Sequence, residues 1–221
     1  MSTMHSLILA SASPQRKTLL GGLGLTFDVI PSGIEEDDHP ELDPVQRSKD
    51  LARLKALDVH RKHLESIVIG CDTLVVAGET PVGDREKTPQ IGLEKTPQRG
   101  VSTLLEKPKD EADARRMLKL HSGKTSLVHS ALCIVDASGK TYEGLSTSSV
   151  TFKKLTEKEI DWWIGTNLWQ GRSGGFQIDG LGQLMIQSIT GDWTGVVGLP
   201  VFLLGELLKD AGVKERKERK E

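Results

Sequence analysis

Residues 7–20 read LILASASPQRKTLL, an apolar run that stops at small hydroxyl residues and restarts as a helix. Leu7-Ile8-Leu9-Ala10 has the length and composition of a short buried strand. Ser13 is a good helix N-cap and Pro14 suits the first helical position, with Leu19, Leu20 and Leu23 forming an apolar side before Gly24. A strand that feeds a helix through so short a turn opens an α/β unit. The same turn leaves backbone N–H groups and the positive end of a helix dipole at the strand's end, and Arg16 adds a charged fork within the first turn. Ser11 to Arg16 therefore read either as a phosphate cradle or as a plain helix cap.

Outward from that stretch, Pro44 opens a second helix, with Val45, Ala52, Ala56 and Val59 on one stripe and Lys55 on its flank. Ile67 to Val76 predicts a buried strand interrupted at Asp72, and a third helix starts near Asp110 with Ala114, Met117, Leu118 and His121 in register. Leu127 to Val135 and Thr141 to Phe152 read as adjacent strands joined by Asp136-Ala137-Ser138-Gly139. Thr156 caps a short helix through Trp163, and Leu184 to Ile189 is another strand. Pro200 opens a last helix carrying Val201, Leu204, Leu208 and Ala211. Strands and helices alternate early and strands run together later, so the fold class is α/β with a mixed sheet.

A chain of 221 residues can bury a full core. Its 29 Lys+Arg against 31 Asp+Glu give a net charge of −2, without the clustered cations that nucleic acid demands. Cys71 and Cys133 sit in apolar runs and read as buried free thiols of a reducing compartment. No Lys or Arg precedes the brief run LILA, and VVGLPVFLLGELL falls short of the ~18 residues that suggest a span. A cytoplasmic protein without membrane contact is expected. Residues 1–213 read as one domain in two lobes, with an insertion at 79–105 and a charged tail at 214–221. The insertion repeats itself, Glu86-Lys87-Thr88-Pro89-Gln90 returning as Glu94-Lys95-Thr96-Pro97-Gln98, and reads as an exposed loop or a lid.

Chemistry concentrates at a few positions. A carboxylate at the end of Ile67-Val68-Ile69-Gly70-Cys71 is costly in a buried strand unless Asp72 is metal-bound, paired, or facing a cleft. The acidic run Glu35-Glu36-Asp37-Asp38 is either a solvated turn or a source of hard oxygen ligands for Mg²⁺. Lys55 and Lys107 are candidate phosphate partners or plain surface lysines. Gly171 to Gly182 lacks the spacing of a Walker A loop or a dinucleotide fingerprint. Its glycines would let backbone approach a flat ligand on which Phe176 could stack, or else build tight turns.

These pieces together resemble the Maf family of nucleoside triphosphate pyrophosphatases. Leu9-Ala10-Ser11-Ala12-Ser13-Pro14-Gln15-Arg16-Lys17-Thr18-Leu19-Leu20 is similar to the family's opening signature. Five pieces follow in the family's order. They are Glu35-Glu36, Leu51-Ala52-Arg53-Leu54-Lys55-Ala56, Ile69-Gly70-Cys71-Asp72-Thr73, Lys107-Pro108 running into Ala114-Arg115-Arg116-Met117-Leu118, and Gly174 to Val197-Gly198-Leu199-Pro200. The likeness covers residues 6–212 apart from the insertion.

The resemblance implies two lobes around a central cleft, a homodimer, and Mg²⁺- or Mn²⁺-dependent hydrolysis of a nucleoside triphosphate between its α and β phosphates. That activity would remove modified or surplus nucleotides; the alternative is a non-catalytic nucleotide-binding regulator that inhibits septum formation. Carried over by position, Ser11, Arg16, Lys55 and Lys107 bind phosphate, Asp72 is the catalytic acid, and Glu36 joins it at the metal. Two departures bear on the base. Gln15 stands where the family commonly has a first arginine. Asp179 stands where pyrimidine-preferring members usually have glutamine, and a carboxylate suits the paired donors of a guanine-type edge. Gly175-Phe176-Gln177-Ile178 is closer to the pyrimidine group.

Overall fold

The structure is a computed structural model and describes residues 6–36, 43–79 and 103–213. The strands are β1 (Leu7–Leu9), β2 (Asp28–Val29), β3 (Ile67–Glu79), β4 (Thr103–Leu105), β5 (Thr125–Val135), β6 (Thr141–Phe152) and β7 (Ile186–Thr190). Helices are α1 (Pro14–Gly21), α2 (Pro44–His60), α3 (Glu111–His121), α4 (Glu157–Gly165), α5 (Trp193–Val197) and α6 (Val201–Asp210). Among the described residues the seven strands form one sheet in the order β2-β1-β3-β5-β6-β7, with β4 paired to β3. β1 runs parallel to β2 and β3, whereas β3–β4 and β6–β7 are antiparallel. The sheet is mixed, as the alternation of elements predicts. No described helix is long and apolar enough to cross a membrane.

The caps read from the sequence are in place. The Ser13 hydroxyl accepts from the Arg16 N–H ahead of Pro14, and the Asp43 and Asp110 carboxylates open α2 and α3 in the same way. Thr156 and Glu159 form a reciprocal capping box on α4.

The chain divides into two compact units. The first takes the residues up to Thr73, His129–Ser148 and those from Gly191 on; the second takes Leu74–Val128 and Ser149–Thr190. In the first unit the two-residue period of the strands sorts side chains between two cores. Leu7, Leu9, Ile67, Ile69 and Cys71 pack with Leu20 of α1 and Leu204, Leu207 and Leu208 of α6. Ile8, Ala10, Val68, Ala131 and Cys133 pack with Ala52, Ala56 and Val59 of α2. Both cysteines are buried free thiols. Gly70 lies on the α2 side, where a Cβ would sit 2.2 Å from the Ala52 carbonyl oxygen and 2.8 Å from Ala56 Cβ. The missing side chain lets the small face of α2 lie directly on β3.

In the second unit His121 stacks on Phe152 with ring centroids 4.4 Å apart, and Phe176 meets both rings edge-on. The buried Trp163 donates its indole N–H to the Gly175 carbonyl at 2.9 Å. Gly174 and Gly175 have φ of 75° and 70°, so this turn is built for glycine.

Some elements were not foreseen. β2 is too short for a pattern, and α5 is a single turn capped by Asp192. Thr103–Leu105, assigned to the insertion, pairs with Val75–Ala77 as β4, so the insertion is shorter than 79–105 at that end. Residues 80–102, the charged tail, Asp37 and Asp38 lie outside the described residues.

Gly70→Ala is expected to cost at least the ~1–3 kcal/mol of core overpacking, because the clash is with backbone. Chemical denaturation measures this, and a midpoint matching the parent chain would contradict the close approach.

Candidate functional site

Asp72 is not at a strand end, as its sequence context suggested; β3 continues through it to Glu79. What does stop nearby is the β1 ladder, whose register with β3 ends at Leu9 opposite Ile69, with Ala10 N–H donating to the Ile69 carbonyl. Asp72 therefore lies within a strand but just past the reach of its parallel neighbour. Its side chain shares the α2 side with Gly70, two residues earlier.

There Lys55 meets it. Lys55 Nζ donates to Asp72 Oδ1 at 2.6 Å and to Glu36 Oε1 at 2.8 Å. The Lys55 and Asp72 side chains are 8% and 5% exposed, so the contact is a buried charge pair, while Glu36 is 37% exposed. Arg47 Nη2 donates to the Glu36 carbonyl and steadies the acidic segment from α2. Asp72 Oδ2 is buried with no hydrogen-bond partner. A polar atom kept in that condition costs about 1–3 kcal/mol. The sequence placed Lys55 on a helix flank; the structure turns it inward, where two carboxylates accept from it.

Arg16 is engaged by groups of the first unit itself. Its Nη1 donates to Ser11 Oγ at 3.1 Å and to the Cys71 carbonyl at 3.0 Å, its Nη2 to Thr73 Oγ1 at 3.1 Å, and its Nε to the Gly198 carbonyl at 2.9 Å. A guanidinium has five N–H donors, and four are engaged within the protein. The Cys71 carbonyl is the next ladder acceptor after Ile69, so the guanidinium continues the pairing where β1 has ended. Thr73 Oγ1 in turn lies 3.0 Å from Ser130 Oγ, which donates to the Gly195 carbonyl at 2.6 Å. Arg16 thus holds the residues on both sides of Asp72, Cys71 by its carbonyl and Thr73 by its hydroxyl. Gln15 Oε1 accepts from the Ser13 hydroxyl. Thr73 and Gly198 were read only as parts of family-like stretches and Ser130 not at all, since the Arg16 that Thr73 and Gly198 share is far from both along the chain.

Ser11, Arg16, Glu36, Lys55 and Asp72 are thereby connected in the first unit. Lys107, Phe176 and Asp179 belong to the second. Lys107 is exposed between β4 and α3. Phe176, expected as a stacking surface for a flat ligand, is 5% exposed and engaged with His121 and Phe152, so it is a core ring. Asp179 is half-buried, and its carbonyl accepts from the Gln177 side-chain amide at 3.0 Å. Burial holds the nearby Arg172 guanidinium below its usual value, against the opposing charge of Asp179.

Among the described residues no three His, Cys, Asp or Glu side chains group as a metal cage. Glu36 and Asp72 nevertheless present two carboxylates around one lysine, and Asp72 Oδ2 has no protein partner. That donor set fits a hard divalent cation that takes few protein ligands and completes its shell with phosphate oxygens and water, the habit of Mg²⁺.

The family model described as Maf-like protein matches residues 6–211. A dTTP/UTP pyrophosphatase of Deinococcus radiodurans is 36% identical over 211 residues, covering 96% of this chain and 95% of that protein. A dTTP/UTP pyrophosphatase of Treponema denticola is 38% identical over 211 residues, covering 93% and 96%. Among solved structures, a nucleoside-triphosphatase (dITP/XTP pyrophosphatase) of Mycobacterium abscessus aligns at 16% identity and a TM-score of 0.34, over 66% of this chain and 72% of that one. That likeness is too distant to carry an argument.

Lys55→Met strands Asp72 without a countercharge, and is expected to lower stability by about 3–5 kcal/mol. The double variant Lys55→Met/Asp72→Leu should recover most of the loss. Urea midpoints of the parent, single and double variants check this; additive losses would mean the two groups are not coupled.

Proposed function

The chain belongs to the Maf-like protein family, and from that premise we propose that it is a nucleoside triphosphate pyrophosphatase. It would convert a bound triphosphate and water to the nucleoside monophosphate and pyrophosphate. The observation that carries this reading is Asp72: a buried carboxylate fixed at Oδ1 by Lys55 and left unpartnered at Oδ2.

In the proposed reaction a water oxygen forms a bond to the α-phosphorus while the bond from that phosphorus to the α–β bridging oxygen breaks. Asp72 Oδ2 takes the proton of the attacking water, and pyrophosphate departs with the bridging oxygen. Lys55, bonded to both Asp72 and Glu36, holds the base in one orientation, so little reorganisation is needed as charge develops. Arg16 supports the same strand from Cys71 and Thr73, and has one N–H left for a phosphate oxygen. Ser11 lies at the start of that support, and the family resemblance gives Lys107 as a further phosphate partner. A Mg²⁺ or Mn²⁺ ion, held by Glu36 and Asp72 when bound, would spread the charge of the phosphate oxygens.

On the substrate, the two relatives' described activities favour dTTP and UTP for this chain, as does the likeness of Gly175-Phe176-Gln177-Ile178 to the pyrimidine group. They weigh against the guanine-type edge that Asp179 suits. Nothing favours the non-catalytic regulator: a binding protein gains nothing from an unpartnered carboxylate beside phosphates.

Asp72→Ala is expected to lose at least about a hundredfold in turnover, the scale of general base catalysis. Pyrophosphate release with added Mg²⁺ or Mn²⁺ measures it, and a folded variant with near-parent rates would remove the assignment. A panel of nucleoside triphosphates is expected to give pyrophosphate, with dTTP and UTP turned over fastest. Orthophosphate as the product would refute the reaction, and a guanine nucleotide in the lead would refute the base preference.

A further inference from the structure

We propose that His121 is a positioning residue for substrate recognition, acting through the Gly174–Gly175 turn; this rests on the reading of Lys107 and Asp179 as substrate contacts.

His121 closes α3 and is fully buried. Its Nε2 lies 2.9 Å from the Gly174 carbonyl oxygen and its Nδ1 2.7 Å from Ser126 Oγ. A carbonyl can only accept, so Nε2 carries the proton and Nδ1 accepts from the Ser126 hydroxyl. Burial pushes the ring's pKa down to about 4, and the neutral form required by this pattern is the form present at neutral pH. The imidazole is therefore a fixed, directional donor inside an aromatic cluster. A leucine would fill such a space without the cost of burying two ring nitrogens.

What the donor holds is a junction. The Gly174 N–H donates to the Glu106 carbonyl at 2.9 Å, directly before Lys107. A Cβ on Gly175 would lie 3.3 Å from Pro108 Cγ, so the turn also touches the residue after Lys107. The Gly175 carbonyl takes the Trp163 indole N–H, and the chain leaves the turn into Phe176-Gln177-Ile178-Asp179. Both substrate-contacting segments of the second unit thus hang from one pair of left-handed glycines. Such backbone conformations persist only where surrounding contacts determine them. His121 supplies the contact from α3.

The test compares His121→Leu with His121→Gln in the full chain. Leucine keeps volume and removes both hydrogen bonds, while glutamine retains an amide donor for Gly174. For His121→Leu we expect KM for the triphosphate to rise about tenfold, the scale of one lost net hydrogen bond, with kcat changing less than about threefold. The discrimination between bases should fall with it, and amide exchange at residues 174–179 should accelerate. His121→Gln should restore KM, discrimination and exchange toward the parent values. A folded His121→Leu variant that only melts earlier, with KM and discrimination unchanged, would overturn the proposal. Should that variant not fold, Ser126→Ala decides. It leaves the imidazole in place but releases its tautomer, so a smaller rise in KM supports the proposal and parent kinetics overturn it. Asp179→Asn separates the underlying reading: if it leaves base discrimination unchanged, that reading fails, whereas the exchange comparison still tests the hold of His121 on the turn.

Discussion

The first unit depends on how near α2 can come to β3. A helix packed on a sheet is ordinarily held off by the side chains between them, and a lysine on its flank then escapes to solvent. At Gly70 that layer is missing, and Ala52 and Ala56 present little bulk in return. The approach brings Lys55 within 2.6 Å of Asp72, closer than an ordinary surface pair needs to be. Buried charges of this kind are costly to desolvate, and their attraction offsets the cost only when geometry is good. The small residues of the interface supply that geometry. Packing therefore precedes electrostatics here: the charge pair exists because two alanines and a glycine allow it.

On the other side of β3 the same problem of unpaired polar groups is solved by an arginine. β1 is three residues long, and past its end the Cys71 carbonyl has no strand to pair with. Arg16 fills the role, bonding that carbonyl together with Ser11, Thr73 and Gly198. Charge-assisted bonds of this kind are roughly twice as strong as neutral ones. Asp72 is consequently held through its two neighbours, the Cys71 carbonyl and the Thr73 hydroxyl, from one face and by its own side chain from the other. A base intended to act on a bound triphosphate benefits from such restraint, because its orientation is fixed before substrate arrives.

The fold class was legible because it rests on local periodicity and caps. Ser13-Pro14, Pro44, Asp110 and Thr156 marked helix starts, and an apolar run and two alternating stretches marked the long strands. Lys55, Glu36 and Asp72 were legible as chemistry from residue type and the family likeness, yet their mutual contact was not, since it depends on a helix-to-sheet distance that no single segment encodes. Asp72 read as a strand end because a charge inside an apolar run normally marks a boundary; the pairing with Lys55 removes that reason. Phe176 read as exposed from its glycine-rich surroundings, whereas the rings that bury it come from α3 and β6. His121 registered only as one more position on an apolar face. Its partner Gly174 lies 53 residues away, so its hydrogen bond leaves no trace in local sequence.

The two units handle buried polarity differently, and the difference follows from what each is asked to hold. The groups that hold the Gly174–Gly175 turn are neutral, an imidazole, an indole N–H, a hydroxyl and backbone amides, each given a partner, although the Arg172 Nε beside them is buried without one. Satisfied neutral networks fix geometry without favouring any particular charge nearby. Around Asp72 the groups are ionic, and one acceptor, Oδ2, is left over. A chain selected for stability alone would have no reason to keep it, because the unmade bond costs free energy that a hydroxyl or an amide nearby could recover. The leftover acceptor is explained if the missing partner is supplied from outside the protein, by a water to be deprotonated or a cation arriving with phosphate. On that argument a polar atom left unsatisfied in the first unit is also the one on which its chemistry turns.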